Sequence, residues 1–191
     1  HDRLKALGAQ FAPYNGWERA EWFAQPGDDT SWEATQTWGR AGPWEPRIRA
    51  EVEAVRDGVG VLDLPGFTHL RLTGPGARAH LASLTASKLP QPGRTGLLYF
   101  ADDRGRIVTE MTCLPFSDED VGVITAAVAQ SHDADILRKG LPDGVTLEDW
   151  TDRIHCFIVT GPKARDLLAP ITEGDLTLPW LSVQYFAKVA G

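Results

Sequence analysis

The sequence predicts an α+β domain built on a mainly antiparallel sheet. Three observations predict it. A strand–Thr-Gly-Pro–helix unit occurs twice. Between the two copies, a polar turn joins two apolar runs of strand length. The predicted order of elements is strand, helix, hairpin, strand, helix, strand, strand, helix, which is not the strict βαβ alternation of a parallel sheet.

Residues 1–46 carry turn formers (Gly16, Pro26-Gly27, Gly39, Gly42-Pro43, Pro46) and no clean period, so they read as a linker or arm with short turns. Five of the seven Trp residues (Trp17, Trp22, Trp32, Trp38, Trp44) fall there, and so many indoles imply that the segment packs against something. From Pro46 to Arg56 the pattern changes: Ile48, Val52 and Val55 share one face of a helix, which Gly58 can close. Val59 to Leu64 reads as a short buried strand, and Phe67 to Leu72 alternates. Thr73-Gly74-Pro75 then leads into a helix, where Pro lacks only an N–H that the first turn would leave unpaired anyway.

The run Leu70-Arg-Leu-Thr-Gly-Pro-Gly-Ala-Arg78 matches Phe157-Ile-Val-Thr-Gly-Pro-Lys-Ala-Arg165 at Thr-Gly-Pro-x-Ala-Arg, an offset of 87 from Gly74 to Gly161. The unit lacks the glycine spacings of nucleotide-phosphate loops, so the plain reading is a Gly-Pro helix start packed on a sheet. Between the copies, Gly96 to Phe100 and Ile107 to Phe116 form a hairpin around Asp102-Asp103-Arg104-Gly105. Val121 to Ala127 is a further strand, Ser131 to Lys139 a helix that Ser131 or Asp133 is expected to cap, and Val145 to Asp149 a strand. The apolar run Val183 to Gly191 reads as a strand without a partner, so the domain is expected to be truncated there; the start at His1 likewise reads as a trimmed piece.

Bulk properties narrow the function. With 191 residues, 42% apolar and 24% charged, the chain suits one domain or one and a half, with a real core. A net charge of −7 and no Lys/Arg cluster argue against nucleic acid, which needs a basic face. No stretch is long and apolar enough for a membrane span, and no signal peptide is visible. Cys113 and Cys156 sit in apolar runs and read as buried, reduced thiols; no His/Cys cluster has metal spacing, and no Ser-His-Asp or Cys-His set is arguable from spacing.

With these elements in place, the chain resembles a known family. Ala6-Leu-Gly-Ala-Gln-Phe11, Asn15-Gly-Trp-Glu-Arg19 and Trp22-Phe23 resemble the linker of FAD-dependent dimethylglycine and sarcosine dehydrogenases. Val59-Gly-Val-Leu-Asp-Leu64, Phe67-Thr68, Leu89-Pro90, Gly93-Arg94 and the second Thr-Gly-Pro resemble the folate-binding fold of the glycine-cleavage T-protein, an aminomethyltransferase. The resemblance implies a division into 1–46, a linker from a preceding FAD domain, and 47–191, the N-terminal part of a T-protein-like domain. It implies transfer of an amine-derived one-carbon unit to tetrahydrofolate, forming 5,10-methylene-tetrahydrofolate, with FAD bound only on a separate N-terminal domain. No GxGxxG occurs here, so no FAD is expected on these residues.

The family's functional carboxylate lies in Gly-x-Ile/Val-x-x-Asp, which reads Gly105-Arg-Ile-Val-Thr-Glu110 in this chain. Glu110 is therefore the expected catalytic residue, a general base or electrostatic partner near the folate amine. It is Glu where the family has Asp, which moves the charge by one methylene, and the plain alternative is a solvent-facing or Arg-paired strand carboxylate. Thr125, in Ile124-Thr-Ala-Ala, stands where the family often has a pterin-binding Asn. Leu97 stands where a Tyr packs on folate, and Tyr99 is in the same hairpin. His132-Asp133 resembles a pair of the dehydrogenase branch, and His80 and His155 read as structural.

The family's Tyr-x-Gly-Glu-x-Gly stretch would follow Gly191, so the fragment alone is expected to be inactive. Two other readings stay open: a stand-alone aminomethyltransferase of glycine cleavage, and a non-catalytic folate-binding or scaffold module. A fourth, a folate-dependent RNA-modification relative, is disfavoured by the acidic charge. A cytoplasmic location is expected from the cofactor chemistry and the unpaired thiols.

Overall fold

The computed structural model describes residues 1–14, 16–187 and 189; Asn15, Lys188, Ala190 and Gly191, which belong to the linker and terminal runs above, lie outside the described residues. The chain forms two compact units, His1–Val61 with Val159–Leu167, and Leu62–Ile158 with Leu168–Gly191.

In the first unit, a short helix α1 (Asp2–Ala6) precedes an antiparallel hairpin of β1 (Ala9–Tyr14) and β2 (Trp17–Phe23). This hairpin corrects the reading of the segment as an arm with turns only. Pro13 masks β1 in the sequence, yet a two-stranded ribbon tolerates it at an edge, opposite Glu18. Ala9 and Trp22 are buried. The one-turn helix α2 (Trp32–Thr35) is capped by Ser31, whose hydroxyl accepts from the Ala34 N–H. Helix α3 (Glu45–Asp57) forms as predicted, with Pro46 in its first turn. Arg47 clamps Asp28 through two hydrogen bonds of 2.8 and 2.7 Å, which hold the Asp28 carboxyl down at about 2. The expected apolar face of α3 is largely open, with Ile48 and Val52 exposed.

Strand β3 (Gly60–Asp63) pairs with β9 (Phe157–Thr160) in a small two-stranded sheet. The sequence reading of a buried strand here is corrected: Val61 and Leu62 are exposed.

The second unit is organised by a five-stranded sheet in the order β5-β6-β7-β4-β8. Its strands are β4 (Phe67–Thr73), β5 (Gly96–Ala101), β6 (Ile107–Pro115), β7 (Asp120–Ala126) and β8 (Thr146–Asp149). Each neighbouring pair is antiparallel, as predicted. Asp102 organises the β5–β6 turn: its carboxylate accepts from the Arg104 and Arg106 N–H groups at 2.9 and 3.0 Å. Helices α4 (Ala77–Leu84) and α5 (Gln130–Arg138) pack on one face. Leu70, Leu72, Leu98, Phe100, Met111, Cys113, Val121 and Val123 meet Ala77, Leu81, Ala134 and Leu137 there. Full burial of one such aliphatic or aromatic side chain contributes about 1.5–3 kcal/mol, so this cluster is the main source of the unit's stability. The α5 cap is corrected: Ala129 is the N-cap, without a side-chain hydrogen bond, and Asp133 is buried inside the helix. Cys113 is buried as expected, but Cys156 is only half-buried. Residues 183–187 are irregular rather than a strand, and Val189 makes an isolated bridge to Thr172.

The duplication extends further than Thr-Gly-Pro. Asp57-Gly58-Val59 with Asp63-Leu64 matches Asp143-Gly144-Val145 with Asp149-Trp150, an offset of 86 from Gly58 to Gly144. In space the copies exchange partners. The Trp150 N–H donates to the His69 carbonyl at 2.8 Å, and the Leu64 N–H donates to the Cys156 carbonyl at 2.9 Å. Gly74 and Gly161 share a left-handed backbone, φ +116° and +120°. A Cβ on Gly74 would strike the Gly144 carbonyl, and one on Gly161 the Gly58 carbonyl. Only glycine allows so close a backbone approach at that φ. Helix α6 (Ala164–Leu168) follows the second copy as α4 follows the first.

Candidate functional site

Sheet register decides which side chains share a face. Along β7, Val121, Val123 and Thr125 point into the core, so Gly122 and Ile124 lie on the face opposite α4 and α5. Tyr99 pairs with Glu110, and Leu97 with Thr112, which pairs with Ile124, which pairs with His69. Leu97, Tyr99 and Glu110 therefore meet on one open face. All three are exposed there, Leu97 at 45% and Tyr99 at 39%. The sheet thus offers a flat apolar and phenolic surface beside a carboxylate. The 85–87 loop fixes the edge strand beneath them: the Thr85 hydroxyl donates to the Tyr99 carbonyl at 2.9 Å, and the Tyr99 N–H donates to the Ser87 hydroxyl at 2.9 Å.

Thr125 does not join this group. It lies on the core face, 3% exposed, and its hydroxyl donates to the Asp133 carboxylate. Asp133 is fully buried, and its other oxygen is bonded to His132 Nδ1 at 2.8 Å. Thr68, directly across from Thr125, is buried with its hydroxyl unpartnered among the described residues. His80 is structural, as expected: its ring bonds the Leu137 carbonyl at 2.8 Å.

Further along the open face is a cleft of about 400 Å³, lined by His69, Arg71, Phe116, Trp150, Ile154 and Tyr185 among others. Arg71 donates to Asp120 through Nε and Nη2 at 2.6 and 2.5 Å, and its guanidinium lies 4.2 Å over the Trp150 ring and 5.8 Å from that of Phe116. The Asp120 hydrogen bond raises the Arg71 pKa against the effect of burial. Trp150 is tied down by its own indole N–H, which donates to Glu148 at 3.2 Å. Burial lowers the His69 pKa, although the Asp149 charge pulls it back up. Asp149 is itself lowered: burial raises it, but hydrogen bonds from Thr151 and Gln130 and the Arg138 charge outweigh that. The sequence reading passed over His69, Arg71 and Trp150. The available signal was an Arg inside an apolar strand and an aromatic residue directly after Asp149.

Among the described residues no His/Cys/Asp/Glu group is placed to hold a metal ion, and no helix is long and apolar enough to cross a membrane.

A duplicated α+β unit on an antiparallel sheet is the fold of an aminomethyltransferase-like domain. The chain belongs to the family of the GCVT N-terminal domain, which matches residues 1–191. It is 30% identical over 165 residues to the mitochondrial dimethylglycine dehydrogenase of Rattus norvegicus, covering 85% of this chain and 19% of that protein. It is 30% identical over 177 residues to the 4-methylaminobutanoate oxidase (formaldehyde-forming) of Paenarthrobacter nicotinovorans, 92% of this chain and 21% of that one. It is 28% identical over 188 residues to the aminomethyltransferase of Deinococcus deserti, 96% of this chain and 46% of that one. The chain thus spans about a fifth of the oxidase-type relatives and just under half of the aminomethyltransferase. The glycine cleavage system aminomethyltransferase T from Bartonella henselae superposes with a TM-score of 0.69 at 15% identity, over 95% of this chain and 45% of that one, which shows the same fold.

Proposed function

We propose that this domain carries out tetrahydrofolate-dependent one-carbon transfer in an amine-demethylating enzyme of the dimethylglycine or sarcosine type. The observation that carries the proposal is the convergence of Glu110, Leu97 and Tyr99 on one open face. Tetrahydrofolate, when bound, would supply the amine that takes up the one-carbon unit and leaves as 5,10-methylene-tetrahydrofolate. Glu110 would accept the proton that this amine loses, and its carboxylate would offset positive charge at the reacting carbon. Leu97 and Tyr99 would pack on the flat part of the cofactor, with the Tyr99 hydroxyl as a polar handle. Covering the face would exclude water, which otherwise hydrolyses an iminium carbon. Thr125, bonded to Asp133 on the core face, would support the fold and touch no cofactor. Oxidation of the amine would belong to an FAD-bearing domain outside residues 1–191; the names of two relatives, a dehydrogenase and an oxidase, are those of amine-oxidising enzymes.

The test is calorimetry of the full native polypeptide with 5-formyl-tetrahydrofolate. Binding is expected, and Glu110→Ala should weaken it or abolish transfer, with Glu110→Asp retaining most of the activity. No binding by any form refutes the proposal and leaves a scaffold role. The similarity over 188 residues to an aminomethyltransferase supports a second reading, a stand-alone transferase. Visible absorption distinguishes the two: a flavin band in the purified polypeptide favours the first, and transfer from an aminomethyl carrier without flavin favours the second.

A further inference from the structure

Glu110 stands on a part of its strand that β7 does not support. β6 pairs with β7 only from Thr112 to Pro115. From Ile107 to Met111 its strand partner is β5 alone, so this end of the hairpin is a two-stranded ribbon. On the turn side, the β5–β6 register shifts between Phe100 and Ala101. Glu110 therefore lies between an irregular turn end and Thr112, where pairing on both sides begins. A two-stranded ribbon by itself is marginally stable in water.

The ribbon is held from its outer edge instead. Tyr99, directly opposite Glu110, is gripped by three successive residues of the loop after α4. The Thr85 hydroxyl and the Ala86 N–H both donate to the Tyr99 carbonyl at 2.9 Å, and the Tyr99 N–H donates to the Ser87 hydroxyl at 2.9 Å. The loop is braced in turn: the Ser87 N–H donates to the Thr85 hydroxyl at 3.1 Å, and Leu89 is buried in the core. Both backbone groups of Tyr99 point outwards, so its pairing with Glu110 is of the kind without hydrogen bonds. That kind brings the side chains closest, with Cβ atoms about 5 Å apart. A fixed path thus runs from the buried Ala77 and Leu81 of α4, through Thr85 and Ser87, to Tyr99 and Glu110.

We infer that Thr85 and Ser87 are positioning residues for the one-carbon transfer: by fixing the Tyr99 backbone they fix where the Glu110 carboxylate meets the reacting amine. The inference rests on the proposed role of Glu110. Proton transfer requires heavy atoms about 2.6–3.2 Å apart, and a displacement of about 1 Å can cost on the order of a hundredfold in rate. A carboxylate on an unbraced ribbon would sample such displacements. Glu110 also has one more rotatable bond than the Asp of the family pattern, so the backbone has to supply the precision that the side chain gives up.

The experiment uses the full native polypeptide, with two readouts: formation of 5,10-methylene-tetrahydrofolate from dimethylglycine and tetrahydrofolate, and amide exchange without folate. Ser87→Ala and Thr85→Val should each lower kcat about tenfold and leave the KM for tetrahydrofolate within about twofold. Ser87→Thr and Thr85→Ser keep the hydroxyls and should recover most of the loss. Thr95→Val is the control. It removes a hydroxyl bond of 3.0 Å to the Cys113 carbonyl, where β6 is paired on both sides, and should leave kcat unchanged. In Ser87→Ala the amides of Tyr99 and of residues 107–111 should exchange faster, with residues 112–115 unchanged. Added to Glu110→Ala, Ser87→Ala should cost less than about a further twofold, because the two act as one unit. Full activity of Ser87→Ala and Thr85→Val, beside an inactive Glu110→Ala, overturns the inference and leaves the role of Glu110 standing. A loss that persists undiminished in the Glu110→Ala background overturns it, as does an equal loss in Thr95→Val. Full activity of Glu110→Ala refutes the role of Glu110 itself, and the inference falls with it.

Discussion

Gly74→Ala should be among the most damaging small substitutions in this chain. Two costs add. Gly74 has φ +116°, outside the region open to residues with a Cβ, and such strained conformations cost about 1–3 kcal/mol. The new methyl group would also lie 3.1 Å from the Gly144 carbonyl carbon, 3.3 Å from Val145 Cα, and closer still to the Gly144 oxygen. To relieve this, the chain entering β8 must move away from β4, to which β8 is joined over four residue pairs. Weakening one or two of those hydrogen bonds adds about 1–2 kcal/mol, for a total of about 2–5 kcal/mol. A net stability of about 5–15 kcal/mol makes that a large fraction. Gly76→Ala is the internal control. Its φ of +91° is also left-handed, but nothing lies within 4 Å of the added Cβ, so it should cost about 1 kcal/mol, part of it recovered from the unfolded state. Urea midpoints at constant m-value measure both. If Gly74→Ala costs no more than Gly76→Ala, the close approach to Gly144 is not what selects glycine there.

Other outcomes follow from the buried groups. Thr125→Val removes one of the two partners of a fully buried carboxylate and should destabilise by about 1–3 kcal/mol, while shifting the 5-formyl-tetrahydrofolate affinity by less than about twofold, since Thr125 is not on the open face. A large loss of affinity in a folded Thr125→Val protein would refute that. His69 has a depressed pKa in the folded state, so the unfolded chain takes up its proton first as pH falls. Its contribution to stability should be complete above the unfolded value of about 6.5 and decline below it, so denaturation midpoints should fall less steeply between pH 7 and 5 in His69→Gln than in the native chain. Cys113 is buried and its thiol is pushed up to about 11. Titration with a disulfide reagent near pH 8 should find one ready thiol, Cys156, with Cys113 reacting only on unfolding.

The sheet was legible because its signals are local. The Asp102–Gly105 turn, the alternation through Leu98 and Phe100, and the two Thr-Gly-Pro starts each act within a few residues. The exchange of partners between the two copies was not legible, because strand pairing across some 80 residues depends on which surfaces fit after collapse. The same limit applies to the site. Glu110, Leu97 and Tyr99 lie in one hairpin, and their shared face follows from its register. His69, Arg71 and Trp150 meet only through the β4–β8 pairing. The inward aim of Thr125 was readable in principle, since Val121, Val123 and Thr125 alternate with Gly122 and Ile124.

That β4–β8 pairing has a consequence for biosynthesis. Leu70 waits for Asp149, so the sheet is complete only when the final strand of its order has left the ribosome. The wall of the cleft, Trp150 and Ile154, arrives with it. An incompletely synthesised or locally frayed chain therefore keeps Glu110 and its hairpin but lacks the wall of the cleft two strands away. β8 is also an outer strand, with hydrogen-bonding groups open to mispairing. Opening of that edge is readable as fast amide exchange along β8 relative to β4.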